Sequence, residues 1–172
     1  MIATVTFDAG QTLIELDTAM LAARLGERGV ATTATALAAA QPAAWQRYEQ
    51  LVTAGGHDQP WQVFMAALIV GATGVADDRA AALAAWLWTE QPRRNLWRRP
   101  VPGMIELVRE LRAAGLAVGV LSNSEGRLAA LFAEIGWGDE FAAVIDSGVV
   151  GVAKPDQLIV ALTLAALGGA PA

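Results

Sequence analysis

The chain has 172 residues, a net charge of -5, a single His and no Cys. That length suits one domain, or one domain carrying a modest insertion, and it can bury a core without covalent staples. The lack of Cys excludes a disulfide framework, a Cys-ligated zinc site, an iron–sulfur cluster and thiol catalysis, and the acidic balance argues against nucleic acid as a partner. Apolar residues make up 55% of the chain. Its most apolar stretches, 64–76 and 158–172, are still shorter than the ~18–20 residues of a membrane-spanning helix. The N-terminus lacks a basic-then-apolar leader and carries Asp8. A soluble, cytoplasmic protein without a membrane partner is expected.

Residues 2–7 form a short β-prone run that ends in Asp8-Ala9-Gly10, the pattern of a buried strand and a turn. Leu, Ala and Trp recur at helical spacing over 18–29 and 34–52. Gly55-Gly56-His57-Asp58 reads as a loop, Pro60 opens a helix over 60–70, and Asp77-Asp78 open another to Glu90. Residues 14–92 are thus expected to be helical throughout. Prolines at 92, 100 and 102 mark 93–102 as a linker. Beyond it, Met104, Ile105, Leu107, Val108 and Leu111 predict a helix that Gly115 ends. A strand over 116–121, a helix over 125–135, a strand over 141–145, a loop over 148–154 and a helix over 156–167 follow.

Short apolar strands alternating with helices imply an α/β fold, with a Rossmann-like, mostly parallel sheet. Ligands of such sheets bind at the carboxyl ends of the strands. Asp8 and Ser122 lie just past two predicted strand ends, and Lys154 lies in the loop after the third. An Asp there can act as a nucleophile or a hard-metal ligand. A Ser hydroxyl can hold an oxygen of the transferred group, and a Lys can neutralise developing charge. Together they suit displacement at an anionic small molecule through a covalent aspartyl intermediate.

Order and context resemble the haloacid dehalogenase-like (HAD) superfamily. Phe7-Asp8-Ala9-Gly10-Gln11-Thr12-Leu13 is similar to its first motif, Leu121-Ser122-Asn123-Ser124 to its second, and Gly151-Val152-Ala153-Lys154-Pro155-Asp156 to its third. The resemblance implies a core over 1–13 and 93–172, with a helical cap inserted at 14–92. It implies Asp8 as nucleophile and magnesium ligand, with the Gly10 carbonyl as a second ligand. Thr12 would steady the loop and line the substrate site. Ser122 and Asn123 would bind the transferred group, and Lys154 would pair with Asp8. The default activity it implies is magnesium-dependent hydrolysis of a small phosphomonoester.

Two departures qualify that expectation. Family phosphatases usually carry an Asp two residues after the nucleophile as general acid, worth ~10²–10⁴-fold in rate. Gly10 stands there instead. Family dehalogenases lack that acid too, since halide leaves without a proton, so metal-independent 2-haloacid dehalogenation is the alternative. The family's acidic fourth motif should follow one more strand after 156–167, and the sequence ends at Ala172. A truncated member is therefore expected, with an exposed first strand inviting a homodimer, and an inactive remnant is a third reading.

The remaining polar residues carry plainer expectations. Asp156 reads as the N-cap of the last helix and Asp146 as a loop-bonding carboxylate. Ser122-Asn123 could instead cap the helix that follows them. His57 reads as an ordinary loop His, with replacement of the missing acid as the sharper role. The six Trp residues read as packing groups rather than a substrate wall. Arg93, Arg94, Arg98 and Arg99 read as a solvated linker face, or else as an attractor of anionic substrate.

Overall fold

The computed structural model describes residues 3–54 and 60–168. The chain divides into two compact units, one of Met1–Leu16 with Trp97–Ala172 and one of Asp17–Leu96.

The first unit is a mixed α/β layer. Strands β1 (Thr4–Phe7), β4 (Ala117–Ser122) and β5 (Ala143–Asp146) form a parallel sheet in the order β1-β4-β5. The uncharged run Ala-Val-Gly-Val-Leu-Ser makes β4 the central strand, buried by neighbours on both sides. Phe7 pairs with Val120, and Ser122 with Asp146. This register brings the ends of all three strands to one edge. No other strand among the described residues pairs with β1.

Helices α5 (Met104–Ala113), α6 (Leu128–Glu134) and α8 (Gln157–Ala166) belong to this unit, with a one-turn helix α7 (Ser147–Val150). Ile105 and Val108 of α5 join Val118, Val120, Leu131 and Phe132 in the core. The polar side of α5 places Arg109 and Arg112 on Glu140, at 2.6 and 3.0 Å. Near the end of α8, Leu167 comes so close to β4 that a Cβ at Gly119 would lie 2.9 Å from its methyl.

A second, antiparallel pair joins β2 (Ile14–Leu16) to β3 (Trp97–Pro100). Both segments depart from the sequence reading, which made 14–16 helical and 97–100 linker. Ile14 and Leu16 are buried on either side of half-buried Glu15, a two-residue alternation too short to stand out against helical neighbours. Glu15 lies opposite Arg99 and pairs with it at 2.9 Å. Pro100, which suggested a linker, falls at the end of its strand, where a missing N–H is tolerated.

The second unit is helical: α1 (Thr18–Glu27), α2 (Ala34–Thr53), α3 (Pro60–Thr73) and α4 (Asp77–Glu90). Asp17 and Thr33 cap α1 and α2 through bonds from the Met20 and Ala36 N–H groups. Phe64, Met65, Leu68 and Ile69 bury one face of α3, and Trp45 packs on Phe64 with ring centroids 4.1 Å apart. Trp61 and Trp88 pack on each other, and in the first unit Trp137 packs on Phe132. These tryptophans are packing groups, as expected. His57 and its loop lie outside the described residues.

The arginine run is not a free basic patch. Arg94 pairs with Glu27, Arg98 with Glu134 and Arg99 with Glu15. Three of its four members thus have a carboxylate partner, which weakens the case for an anion attractor. No helix among the described residues is long and apolar enough to cross a membrane.

Arg24 of α1 is fully buried. Its guanidinium stacks on Trp86 and donates one bond to the Arg94 carbonyl, while Nε and Nη2 have no hydrogen-bond partner among the described residues. Burial holds its pKa below the ordinary guanidinium value. A buried charge with unfilled donors costs stability that an apolar isostere avoids. Arg24→Met is therefore expected to melt no lower than wild type, and Arg24→Ala to lose about 2 kcal/mol or more through the emptied contact with Trp86. Thermal unfolding of both variants checks this, and a lower melting point for Arg24→Met would show that the charge stabilises the fold.

Candidate active site

The site forms where the three parallel strands end. Asp8 follows β1 and its carboxylate is about half exposed. Three groups converge on one oxygen, Oδ1. The Ala9 N–H donates at 2.8 Å, the Ser122 hydroxyl at 2.8 Å and the Lys154 ammonium at 3.1 Å. The other oxygen, Oδ2, has no hydrogen-bond partner among the described residues. One oxygen is thus anchored, and the other is unbonded among the described residues.

Ser122, the last residue of β4, is buried. Lys154 stands in the irregular stretch after α7, and its ammonium also donates to the Leu121 carbonyl at 3.1 Å. The Asp8 carboxylate, the Ser122 hydroxyl and the Lys154 ammonium, 146 residues apart at the extremes, therefore meet within hydrogen-bonding distance at the sheet edge where the sequence reading placed them. The Lys154–Pro155 peptide is cis.

Gly10 and Thr12 shape the loop that carries Asp8. The Thr12, Leu13 and Ile14 N–H groups all donate to the Ala9 carbonyl, at 3.3, 2.9 and 3.0 Å. Gln11 adopts φ 60°, a left-handed conformation uncommon for a residue with a side chain. Thr12 thus enters the site through its backbone, and its hydroxyl makes no hydrogen bond among the described residues. Gly10 is not in a left-handed conformation, and a Cβ there would meet Trp97 at an ordinary 3.7 Å. Its lack of a side chain is not imposed by space or backbone.

The Asn123 amide bonds to the backbone of Lys154. Its Oδ1 accepts the Lys154 N–H at 2.7 Å and its Nδ2 donates to the Lys154 carbonyl at 3.1 Å. Ser122 and Asn123 do not cap α6, which starts only at Leu128. That task falls to Asp146, at the end of β5. Its buried carboxylate accepts the N–H groups of Gly126 and Leu128, each at 3.0 Å, and of Gly148 at 2.9 Å. Asp146 is therefore the loop-bonding group expected of it, and Asp156 caps α8 through the Leu158 N–H.

Sequence reasoning missed the contact between the two loops. A Cβ at Gly148 would lie 2.4 Å from the Gly126 nitrogen and 2.6 Å from the Glu125 carbonyl carbon. Ser147 adds two bonds, accepting the Ser124 N–H and donating to the Ser124 carbonyl. Paired small residues at 124–126 and 147–148 were the only trace of this in the sequence. Glu125 was also missed. Burial pushes its carboxyl pKa up, its own backbone N–H opposes that shift, and the nearby Asp146 charge reinforces it.

The fold thus sets a carboxylate, a hydroxyl and an ammonium together at the carboxyl edge of a parallel sheet. The model of the haloacid dehalogenase-like hydrolases matches residues 2–172, and the chain belongs to that family. No curated protein sequence matches it. Among solved structures it is similar to L-2-haloacid dehalogenase from Xanthobacter autotrophicus with chloropropionic acid covalently bound. Identity is 27% over 100% of this chain and 67% of that one, with a TM-score of 0.56. The putative HAD-hydrolase YfnB from Bacillus subtilis bound to magnesium is 17% identical over 92% of this chain and 69% of that one, with a TM-score of 0.66. A HAD phosphatase from Thermococcus onnurineus is 16% identical over 97% of this chain and 72% of that one, with a TM-score of 0.52. These last two share the fold.

Two outcomes follow from the loop geometry. Gly148→Ala forces backbone against backbone and is expected to cost about 1–3 kcal/mol or more, read from the denaturant midpoint. Ionising Glu125 costs more in the folded than in the unfolded chain. Its contribution is therefore intact below the ordinary carboxylate range and is lost as pH rises through its raised value. The stability of Glu125→Gln relative to wild type should accordingly grow as pH rises above the ordinary carboxylate range, and an offset independent of pH would contradict this.

Proposed function

We propose that Asp8 attacks a small anionic substrate through Oδ2 and that the favoured substrate is a 2-halo carboxylate. The observation that carries this is the pairing of a free Oδ2 with Gly10. The attacking oxygen is available, and the second position after it offers no acid to protonate a leaving group. Halide leaves without a proton, whereas an alkoxide leaving group needs one. A Cβ at Gly10 would meet Trp97 at an ordinary 3.7 Å, so a clash at that atom does not account for the missing acid. Similarity at 27% identity to a dehalogenase solved with chloropropionic acid covalently bound supports the same choice.

In this reading Oδ2 displaces halide from the carbon next to the substrate carboxylate, forming an aspartyl ester. The Ser122 hydroxyl and the Ala9 N–H hold Oδ1, so that Asp8 keeps its orientation as Oδ2 reacts. The Lys154 ammonium balances the charge of Asp8 and of the incoming carboxylate. Water then hydrolyses the ester, which returns Asp8 and releases a 2-hydroxy acid.

Halide displacement needs no magnesium, and in this reading Oδ2 is the attacker while Oδ1 receives an ammonium and a hydroxyl. The second reading is the magnesium-dependent phosphomonoester hydrolysis that the motifs implied. The Lys154 ammonium and Ser122 hydroxyl favour it, being placed to receive phosphoryl oxygens. It requires an acid from elsewhere and a metal ligand beyond those found here.

Halide release from 2-chloropropionate, measured with EDTA present, tests the proposal. Asp8→Asn is expected to lower it by about a thousandfold or more, and Lys154→Met by about a hundredfold. Phosphate release from p-nitrophenyl phosphate that EDTA stops, with no halide release, would select the second reading and overturn the first.

A further inference from the structure

We propose that Asn123 is a positioning residue for Lys154. The inference rests on Lys154 acting as the charge partner of Asp8, as proposed above. Both ends of the Asn123 amide are committed to one peptide residue. Oδ1 accepts from the Lys154 nitrogen at 2.7 Å, and Nδ2 donates to the Lys154 oxygen at 3.1 Å. This reproduces in a side chain the two-bond exchange that neighbouring strands make between backbones.

Lys154 needs such a clamp. It lies in a turn closed by the Asp156 N–H on the Ala153 carbonyl at 3.0 Å, and no ladder or helix adds to that hold on its Cα. Its ammonium must nevertheless stay 3.1 Å from both the Leu121 carbonyl and Asp8. A lysine side chain has about 2 kcal/mol of rotamer freedom to lose, and a wandering backbone would add to that. Asn123 follows directly on Ser122, the residue that holds Asp8. Consecutive residues of one strand end thus place both partners of the ion pair, Ser122 the carboxylate and Asn123 the ammonium.

The chemistry of the clamp is selective. Asp at 123 keeps an acceptor for the Lys154 N–H but sets an oxygen against the Lys154 carbonyl. Ala loses both bonds. One N–H of Nδ2 stays unused, so substrate affinity belongs in the test.

Amide hydrogen exchange at Lys154, measured in the whole protein, reads the clamp without reference to any substrate. Asn123→Ala should speed it by about tenfold or more, with the core strands still protected, while Asn123→Asp should keep much of the protection. In halide and phosphate assays, Asn123→Ala should lower kcat with KM within about threefold, and the double variant with Lys154→Met should be no slower than Lys154→Met alone. Unchanged exchange at Lys154 would overturn the proposal. So would a KM raised about tenfold with kcat kept, or losses that multiply in the double variant. If wild type turns over neither 2-chloropropionate nor p-nitrophenyl phosphate, the functional reading fails while the exchange result still decides the clamp.

Discussion

The candidate site is organised around one carboxylate oxygen. Oδ1 of Asp8 collects a backbone N–H, the Ser122 hydroxyl and the Lys154 ammonium within 3.1 Å. Hydrogen bonds to an ionised group are stronger than those between neutral groups, and three on one atom fix its position. The three donors come from the ends of β1 and β4 and from the loop beyond β5. They can meet there because the strands are parallel and in register, so that Phe7, Val120 and Val144 lie abreast. A sheet that slipped by one residue would turn each side chain to the opposite face and scatter the set.

A second layer of contacts holds that edge. The Asp146 carboxylate gathers three N–H groups from the loops after β4 and β5. Gly148 lets those loops touch backbone to backbone, and Ser147 closes the contact with two bonds to Ser124. A buried carboxylate is tolerable when its lone pairs are filled in this way. The loops therefore behave as extensions of the sheet rather than as free segments, and Ser122 inherits their rigidity.

Much of this was legible in the sequence, and the parts that were not share a cause. Asp8, Ser122 and Lys154 announce themselves because each follows a β-prone apolar run, and parallel strands bring such positions together. The strands of the core were found for the same reason. Ile14–Leu16 and Trp97–Pro100 were not, because each is too short to display a period and each is stabilised by the other across 80 residues of chain. The clamp of Asn123 on Lys154 was hidden too. It joins a side chain to a backbone, and no residue pattern encodes which peptide an amide will choose. The start of α6 was read three residues early because its cap comes from β5, not from the residues just before it.

The antiparallel pair β2–β3 has a consequence for how such a molecule can change. The chain leaves the first unit along β2 and returns along β3, and within the second unit the Asp17 N–H meets the Leu96 carbonyl at 2.8 Å. The ends of an 80-residue excursion are therefore one hydrogen bond apart. Closing a loop that long costs roughly 4 kcal/mol of chain entropy, and the short ladder, with Glu15 and Arg99 paired across it, meets that cost at the junction. At that junction, a helical segment of another length or sequence spliced between Leu16 and Trp97 needs only two ends that meet in the same way to leave the β2–β3 ladder in register.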